Sequence, residues 1–223
     1  KDTLKNRVPL IGFSGSPWTL ATYMVEGKGR TDFLKIKQML YSRPDLINHI
    51  LKINTETVTK YLACQIDAGV DVVMIFDSWG GALAHSEYES YSLNYMKVII
   101  SNLNLLGYQD IPKILFTKGG GQWIKSQVGS GADALGIDWQ TDIASARKLV
   151  NDKVALQGNL DPAILLSSPK VIEKFVKKIL DDYGHGEGHI FNLGHGITQF
   201  TPPENLQALL ETVRNYSIQY HQG

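Results

Sequence analysis

LIGFSGSPWTLATYMVEG, Leu10 to Gly27, continues an apolar run that starts at Val8 and ends at Ile11, short enough for a buried strand. The stretch breaks at Gly12, Gly15 and Pro17, and from Trp18 its apolar residues fall on a helical period that stops at Gly27. A strand running through a small-residue turn into a helix is a βα unit. In parallel α/β folds the turn after the strand is where ligands sit. Ser14 and Ser16 then offer short hydroxyls, and Phe13 and Tyr23 offer ring faces. The other reading of the same residues is a packed corner with Phe13, Trp18 and Tyr23 in the core.

The unit repeats along the chain. Helices are predicted over Thr31–Ser42, capped by Thr31 or Asp32, and over Leu46–Ala68, closed by Gly69. VDVVMIF, Val70–Phe76, is almost continuously apolar and β-branched, as a strand buried on both faces is. It leads to Asp77-Ser78-Trp79-Gly80-Gly81 and a helix over Tyr88–Leu106. Strand Lys113–Thr117 precedes Lys118 and three glycines, then helix Gln122–Val128. Strand Ala134–Ile137 leads to Asp138-Trp139 and helix Ile143–Val150. Strand Val154–Gln157 leads to Gly158-Asn159-Leu160-Asp161-Pro162 and, after Ser167-Ser168-Pro169, helix Lys170–Asp182. Strand His189–Asn192 leads to Gly194-His195-Gly196, and Pro202-Pro203 opens helix Glu204–Ser217.

Strict alternation with no hairpin signal requires a parallel sheet with right-handed crossovers. No GxGxxG follows any strand, so a dinucleotide-binding open sheet has no support. A complete (β/α)8 TIM barrel takes about 250 residues and eight units. Six units in 223 residues fit an α/β fold of an incomplete barrel, read as a single domain over residues 1–223. The first strand comes almost without lead-in, as in a fragment.

The totals exclude whole classes of partner. Lys+Arg and Asp+Glu are both 22, which gives no electrostatic case for nucleic acid or an anionic membrane. No apolar run nears the ~20 residues that span a bilayer, and no signal-peptide core follows KDTLKNR. The one cysteine, Cys64, forms no intrachain disulfide and reads as a small buried hydrophobe in a helix. A reducing, cytoplasmic setting is expected.

In a barrel the residues just past each strand share one mouth. Here they are Phe13, Ser14 and Ser16; Asp77, Ser78 and Trp79; Lys118 with its glycines; Asp138 and Trp139; Asn159 and Asp161; and His195. His195 stands between glycines that allow unusual φ/ψ and close approach of a ligand. Gly119-Gly120-Gly121 before a helix fits either a phosphate cradle or a closely packed turn. His185 and His189 have metal-ligand spacing, but interleaved glycines deny them a helical face, and no metal site is expected. Ser78, His195 and Asp138 assemble a hydrolase triad on paper only, since no G-x-S-x-G elbow is present.

GFSGSPWTLATYMVEG (Gly12–Gly27), MIFDSWGG (Met74–Gly81), FTKGGGQW (Phe116–Trp123), ALGIDW (Ala134–Trp139), ALQGNLDP (Ala155–Pro162) and FNLGHGI (Phe191–Ile197), in this order, resemble the bacterial uroporphyrinogen decarboxylase family from end to end. The resemblance implies a (β/α)8 barrel, a homodimer and a tetrapyrrole substrate. It also implies a cofactor-free decarboxylation of the four acetates of uroporphyrinogen III to give coproporphyrinogen III in haem biosynthesis. Tyr23, Ser78 and His195 match the family's substrate-contacting positions, and Phe13 an aromatic lining the cleft. Protonation of a pyrrole carbon makes a cation that accepts the electrons released as CO2 leaves.

The family's arginine-rich M-R-Q-A-G-R motif and its catalytic aspartate have no match here, so no catalytic residue is assigned. The chain is expected to be a C-terminal portion, inactive or nearly so alone. Two other readings stay open beside this one. One is a zinc-dependent methyltransferase of the same barrel superfamily; the other is a non-catalytic fragment that binds tetrapyrroles.

Overall fold

A computed structural model describes residues 2–4, 7–27 and 32–220. The chain divides into two compact units, Lys1–Lys118 with Ser126–Ala134, and Gly119–Lys125 with Leu135–Gly223. Strands and helices alternate throughout, so the α/β class stands.

The first unit holds strands β1 (Ile11–Gly15), β2 (Val72–Asp77) and β3 (Lys113–Thr117). They pair in parallel, with Phe13 opposite Met74, Gly15 opposite Phe76, and Asp77 opposite Thr117. Helices α1 (Pro17–Glu26), α2 (Leu34–Ser42) and α3 (Pro44–Asp67) join β1 to β2, and α4 (His85–Tyr88) and α5 (Asn94–Leu105) join β2 to β3. Trp18, Leu51, Leu62, Val73, Met96, Ile99 and Leu103 are all but fully buried in its core. The division passes through α6 (Ile124–Val128) and β4 (Ala134–Gly136).

The second unit holds β5 (Ala155–Leu160) and β6 (His189–Leu193), parallel, with Leu156 opposite His189 and Asn159 opposite Asn192. Helices α7 (Ile143–Val150), α8 (Pro169–Tyr183) and α9 (Pro203–Tyr216) complete it. Its core is Leu160, Leu165, Ile172, Val176, Leu180 and Leu209. The residues α8 buries, 172, 176, 180 and 183, recur every three or four positions, which is the helical stripe visible in the sequence.

Several boundaries differ from the sequence reading for identifiable reasons. β1 is Ile11–Gly15, not Val8–Ile11, because its glycines and serine suit close packing rather than a break. A Cβ on Gly12 would lie 2.4 Å from the Gln65 Oε1. β5 likewise continues through Gly158 and Asn159, where a Cβ on Gly158 would meet the Ile137 carbonyl oxygen at 2.6 Å. The predicted helix Tyr88–Leu106 starts at His85 and widens into a π turn over Glu89–Leu93. Of the two caps predicted for α2, Thr31 lies outside the described residues; the Ile36 N–H in the first turn is taken by the Glu26 carboxylate at 2.9 Å. Cys64 is exposed on α3 rather than buried, since it falls off the Val58–Leu62–Ile66 stripe. Among the described residues no helix is long and apolar enough to cross a membrane.

At the start of β6 three side chains stack. The Arg147 guanidinium lies 4.4 Å from the Tyr183 ring centroid, and the His189 ring stacks on Tyr183 at 4.2 Å and 11°. Arg147 also donates to the carbonyls of Tyr183 and His185, the latter at 2.7 Å, and fixes the glycine-rich turn before β6. Arg147→Ala removes a cation–π contact and leaves two carbonyls without their donor. The expected cost is about 2 kcal/mol in urea unfolding; a change below about 0.5 kcal/mol would show that the stack carries no stability.

Candidate functional site

Asp77 closes β2 with its carboxylate wholly buried. Oδ1 accepts from the Ser16 hydroxyl at 2.7 Å and the Thr19 hydroxyl at 2.9 Å, and Oδ2 from the Ser92 hydroxyl at 2.6 Å. The Gly80 N–H adds a fourth donor. A Cβ on Gly80 would lie 1.9 Å from Oδ2, so only glycine passes there. The Ser16 Oγ is also the N-cap of α1, accepting from the Thr19 N–H at 3.0 Å.

The loop after Asp77 is held by the same helix. The Trp79 N–H donates to the Thr19 Oγ1 at 3.2 Å, and the Trp18 indole N–H donates to the Trp79 carbonyl at 3.2 Å. The π turn directs Ser92 onto Asp77, and beside it the Tyr88 hydroxyl lies 2.9 Å from the Thr117 Oγ1 and accepts from the Gln127 amide at 2.8 Å. Asp77, Ser14 and Ser16 are therefore not mouth groups. Ser16 is fully buried in the cap, and Ser14 is buried in β1 with its hydroxyl on the Gly15 carbonyl.

What this framework turns outward is a row of side chains. Phe13 and Tyr23 are 60% and 53% exposed, against the packed-corner reading, which holds only for Trp18. The Phe13 ring meets Phe76 edge-on at 5.7 Å, and Phe76 meets Phe116 at 5.8 Å, a ladder across three strands. Ser78 and Trp79 are half-buried. Against Trp79 lie the Tyr23 ring at 6.3 Å, the Phe33 ring at 5.1 Å, and the Lys118 Nζ at 5.8 Å. Thr19, Ser92 and the Trp79–Lys118 contact escaped the sequence reading. The π turn has no sequence signature, and a threonine inside a helix reads as filler.

In the second unit the Asp138 carboxylate is also buried, not a mouth group. It accepts from the Thr141 hydroxyl at 2.9 Å and from the Gly119 N–H. The glycine run is thus a packed turn: its first N–H is spent on Asp138, and a Cβ on Gly121 would lie 2.5 Å from the Thr141 Oγ1. Both Asp138 oxygens are engaged by the turns beside it, and the carboxylate serves as framework. The Asn159 amide donates to the Asp138 and Thr141 carbonyls at 2.8 and 2.6 Å, and the Asp161 carboxylate caps the turn that follows.

His195 is exposed, its ring edge-on to Trp139 at 6.1 Å. Its glycines act through space rather than unusual φ/ψ. A Cβ on Gly194 would meet the Trp139 amide nitrogen at 2.3 Å, while one on Gly196 would meet nothing. His185 and His189 have separate partners: His185 meets Tyr220, and the His189 Nε2 reaches the Gly158 carbonyl at 2.9 Å. Among the described residues no group of three or more His, Cys, Asp or Glu is placed to hold a metal ion.

Burial holds the Asp77 carboxyl above the usual carboxylate range, against the opposing pull of the Ser92, Ser16 and Thr19 hydroxyls. Burial, then the charge of Asp77, pushes the Tyr88 phenol upward as well. A carboxyl raised in the folded state adds stability that is complete below its unfolded pKa and fades as pH rises through the folded one. The stability of the chain relative to Asp77→Asn is therefore expected to increase as pH falls from about 8 to about 4. Urea midpoints across that range test it; an advantage that grew toward pH 8 would mean that the hydroxyls hold the carboxylate ionised.

Comparison with known proteins joins these observations. The chain matches the sequence model of the family described as uroporphyrinogen decarboxylase (URO-D) over residues 1–216. It is 62% identical over 219 residues to the uroporphyrinogen decarboxylase of Methylobacillus flagellatus, covering 98% of this chain and 62% of that protein. It is 60% identical over 222 residues to that of Nitrosomonas europaea, covering 99% and 62%. The chain thus spans about three fifths of the length of these relatives. In structure it is similar to a methyltransferase from Methanosarcina mazei, with a TM-score of 0.81 at 20% identity, covering 96% of this chain and 61% of that one. A dihydropteroate synthase from Xanthomonas albilineans follows at 0.57 and 14%, covering 94% and 67%. Those two likenesses bear on fold alone and agree with an incomplete barrel; the sequence matches go further, and the chain belongs to the uroporphyrinogen decarboxylase family.

Proposed function

We propose that the protein serves the decarboxylation of uroporphyrinogen III to coproporphyrinogen III in haem biosynthesis. The supporting observation is the 62% identity to a uroporphyrinogen decarboxylase over nearly the whole chain. Each acetate loses CO2 and gains a proton to become a methyl group, and the protonated pyrrole accepts the electron pair in between. What a protein must supply is a grip on the carboxylates, a proton, and stabilisation of the developing cation.

In this reading Tyr23 and Ser78 of the first unit and His195 of the second hydrogen-bond carboxylates or the tetrapyrrole edge, and Phe13 offers an apolar face. The exposure of Phe13, Tyr23 and His195 and the tethering of the Ser78 loop suit such roles. The two units belong to a single barrel domain, and the working form is a cytoplasmic homodimer that binds neither nucleic acid nor membrane. A methyltransferase reading is not favoured, since the likeness to the Methanosarcina mazei protein is at 20% identity.

The 223 residues carry neither an M-R-Q-A-G-R stretch, whose arginines are expected to grip the carboxylates, nor a match to the family's catalytic aspartate, expected to face the pyrrole N–H groups and the cation. The folded chain alone is therefore expected to release little CO2 from uroporphyrinogen under anaerobic conditions. A segment bearing that motif, taken from the Methylobacillus flagellatus relative, should restore hepta- to tetracarboxylate products. Turnover by the chain alone would overturn the assignment of the chemistry to that motif, and no turnover in either case would overturn the decarboxylase reading.

A further inference from the structure

Six segments follow the six strands, and among the described residues of those segments Lys118 is the one lysine or arginine. Residues 16, 78–84, 119–123, 137–142, 161–168 and 194–202 contain none. Its position is set by the strands. β3 is buried along its whole length, and the Lys118 N–H donates to the Asp77 carbonyl at 3.1 Å, which places residue 118 beside the start of the Ser78–Gly80 loop. Its ammonium lies 5.8 Å from the Trp79 ring centroid, and Tyr23 meets the same indole edge-on. Tyr23 and Ser78 supply neutral hydroxyls; Lys118 supplies the charge.

We propose that Lys118 is a substrate-binding residue that takes one side-chain carboxylate of the tetrapyrrole, with the Trp79 face holding its ammonium in place. This rests on the decarboxylase reading, because it is that substrate whose carboxylates need cations. The ammonium gives up a cation–π contact of modest strength for a charge-assisted hydrogen bond, which is roughly twice as strong as a neutral one. The lysine stem stays against Trp79 while the head turns to the ligand.

The test is an anaerobic titration with freshly reduced uroporphyrinogen, read by quenching of tryptophan emission, on the unaltered chain and on Lys118→Met, Lys118→Gln and Lys118→Arg. Circular dichroism confirms that each is folded. Lys118→Met and Lys118→Gln are expected to weaken binding about ten-fold or more, and Lys118→Arg to stay within about three-fold of the unaltered chain. Folded Met and Gln variants that bind within about two-fold would overturn the role of Lys118 and leave the decarboxylase reading intact. Equal losses in all three variants would show a packing role only. The titration is repeated with the M-R-Q-A-G-R-bearing segment of the Methylobacillus flagellatus relative added; failure of the unaltered chain to bind even then would overturn the decarboxylase reading, and the proposal with it.

Discussion

The first unit depends on one buried carboxylate. Asp77 draws its donors from the N-cap of α1, the first turn of that helix, the loop after β2 and the π turn before α5. The start of α1, some 60 residues away in sequence, the loop directly after β2 and the π turn 15 residues on meet at two oxygens. Desolvating a carboxylate is costly, so a carboxylate at this depth requires its full set of donors, and losing any one leaves the rest more expensive. The arrangement therefore fixes relative positions more strictly than an apolar contact of the same size, which tolerates sliding. Ser78 and Trp79, as the residues next along the chain, inherit that precision.

A parallel construction recurs in the second unit, where Asp138 at the end of the fourth βα step holds Thr141 and Gly119 while Asn159 ties down the carbonyls of the same turn. In both units the acid that follows the strand is spent on the framework. The residues one or two positions on, Ser78 and Trp79 in one case and Trp139 in the other, are only partly buried. A strand-end carboxylate is thus a poor guide to chemistry by itself: burial, not residue type, separates a scaffold acid from a reactive one.

Much of the fold was legible because long periodic stretches dominate it. The buried strand Lys113–Thr117 and the helix Ile143–Val150 were placed to the residue. The misreadings cluster where small residues serve tight packing. Gly12, Gly15 and Gly158 were read as breaks and are strand residues, since one glycine permits either a turn or a close backbone approach. The candidate site residues Phe13, Tyr23, Ser78 and His195 are named only through resemblance to a family. The buried roles of Ser16, Asp77 and Asp138 depend on neighbours some 20 to 60 residues away, which periodicity does not reveal. The weight of Lys118 emerges only once strand ends are fixed and the other segments prove to lack a cation.

The three rings gathered at Trp79 have an effect beyond their own contacts. An ion pair about 4 Å apart gains about 1 kcal/mol in bulk water but about 4 kcal/mol where the effective dielectric constant is near 20. The Trp79 ring stands on one side of the lysine head where water would otherwise be, and Tyr23 and Phe33 pack against that indole. The indole thereby lowers the effective dielectric constant on that side, and an ammonium set against it exerts a stronger field than the same charge on an open helix face. In a chain whose 22 positive and 22 negative residues cancel at long range, such local dielectric control lets one charge act where the sum of charges does not.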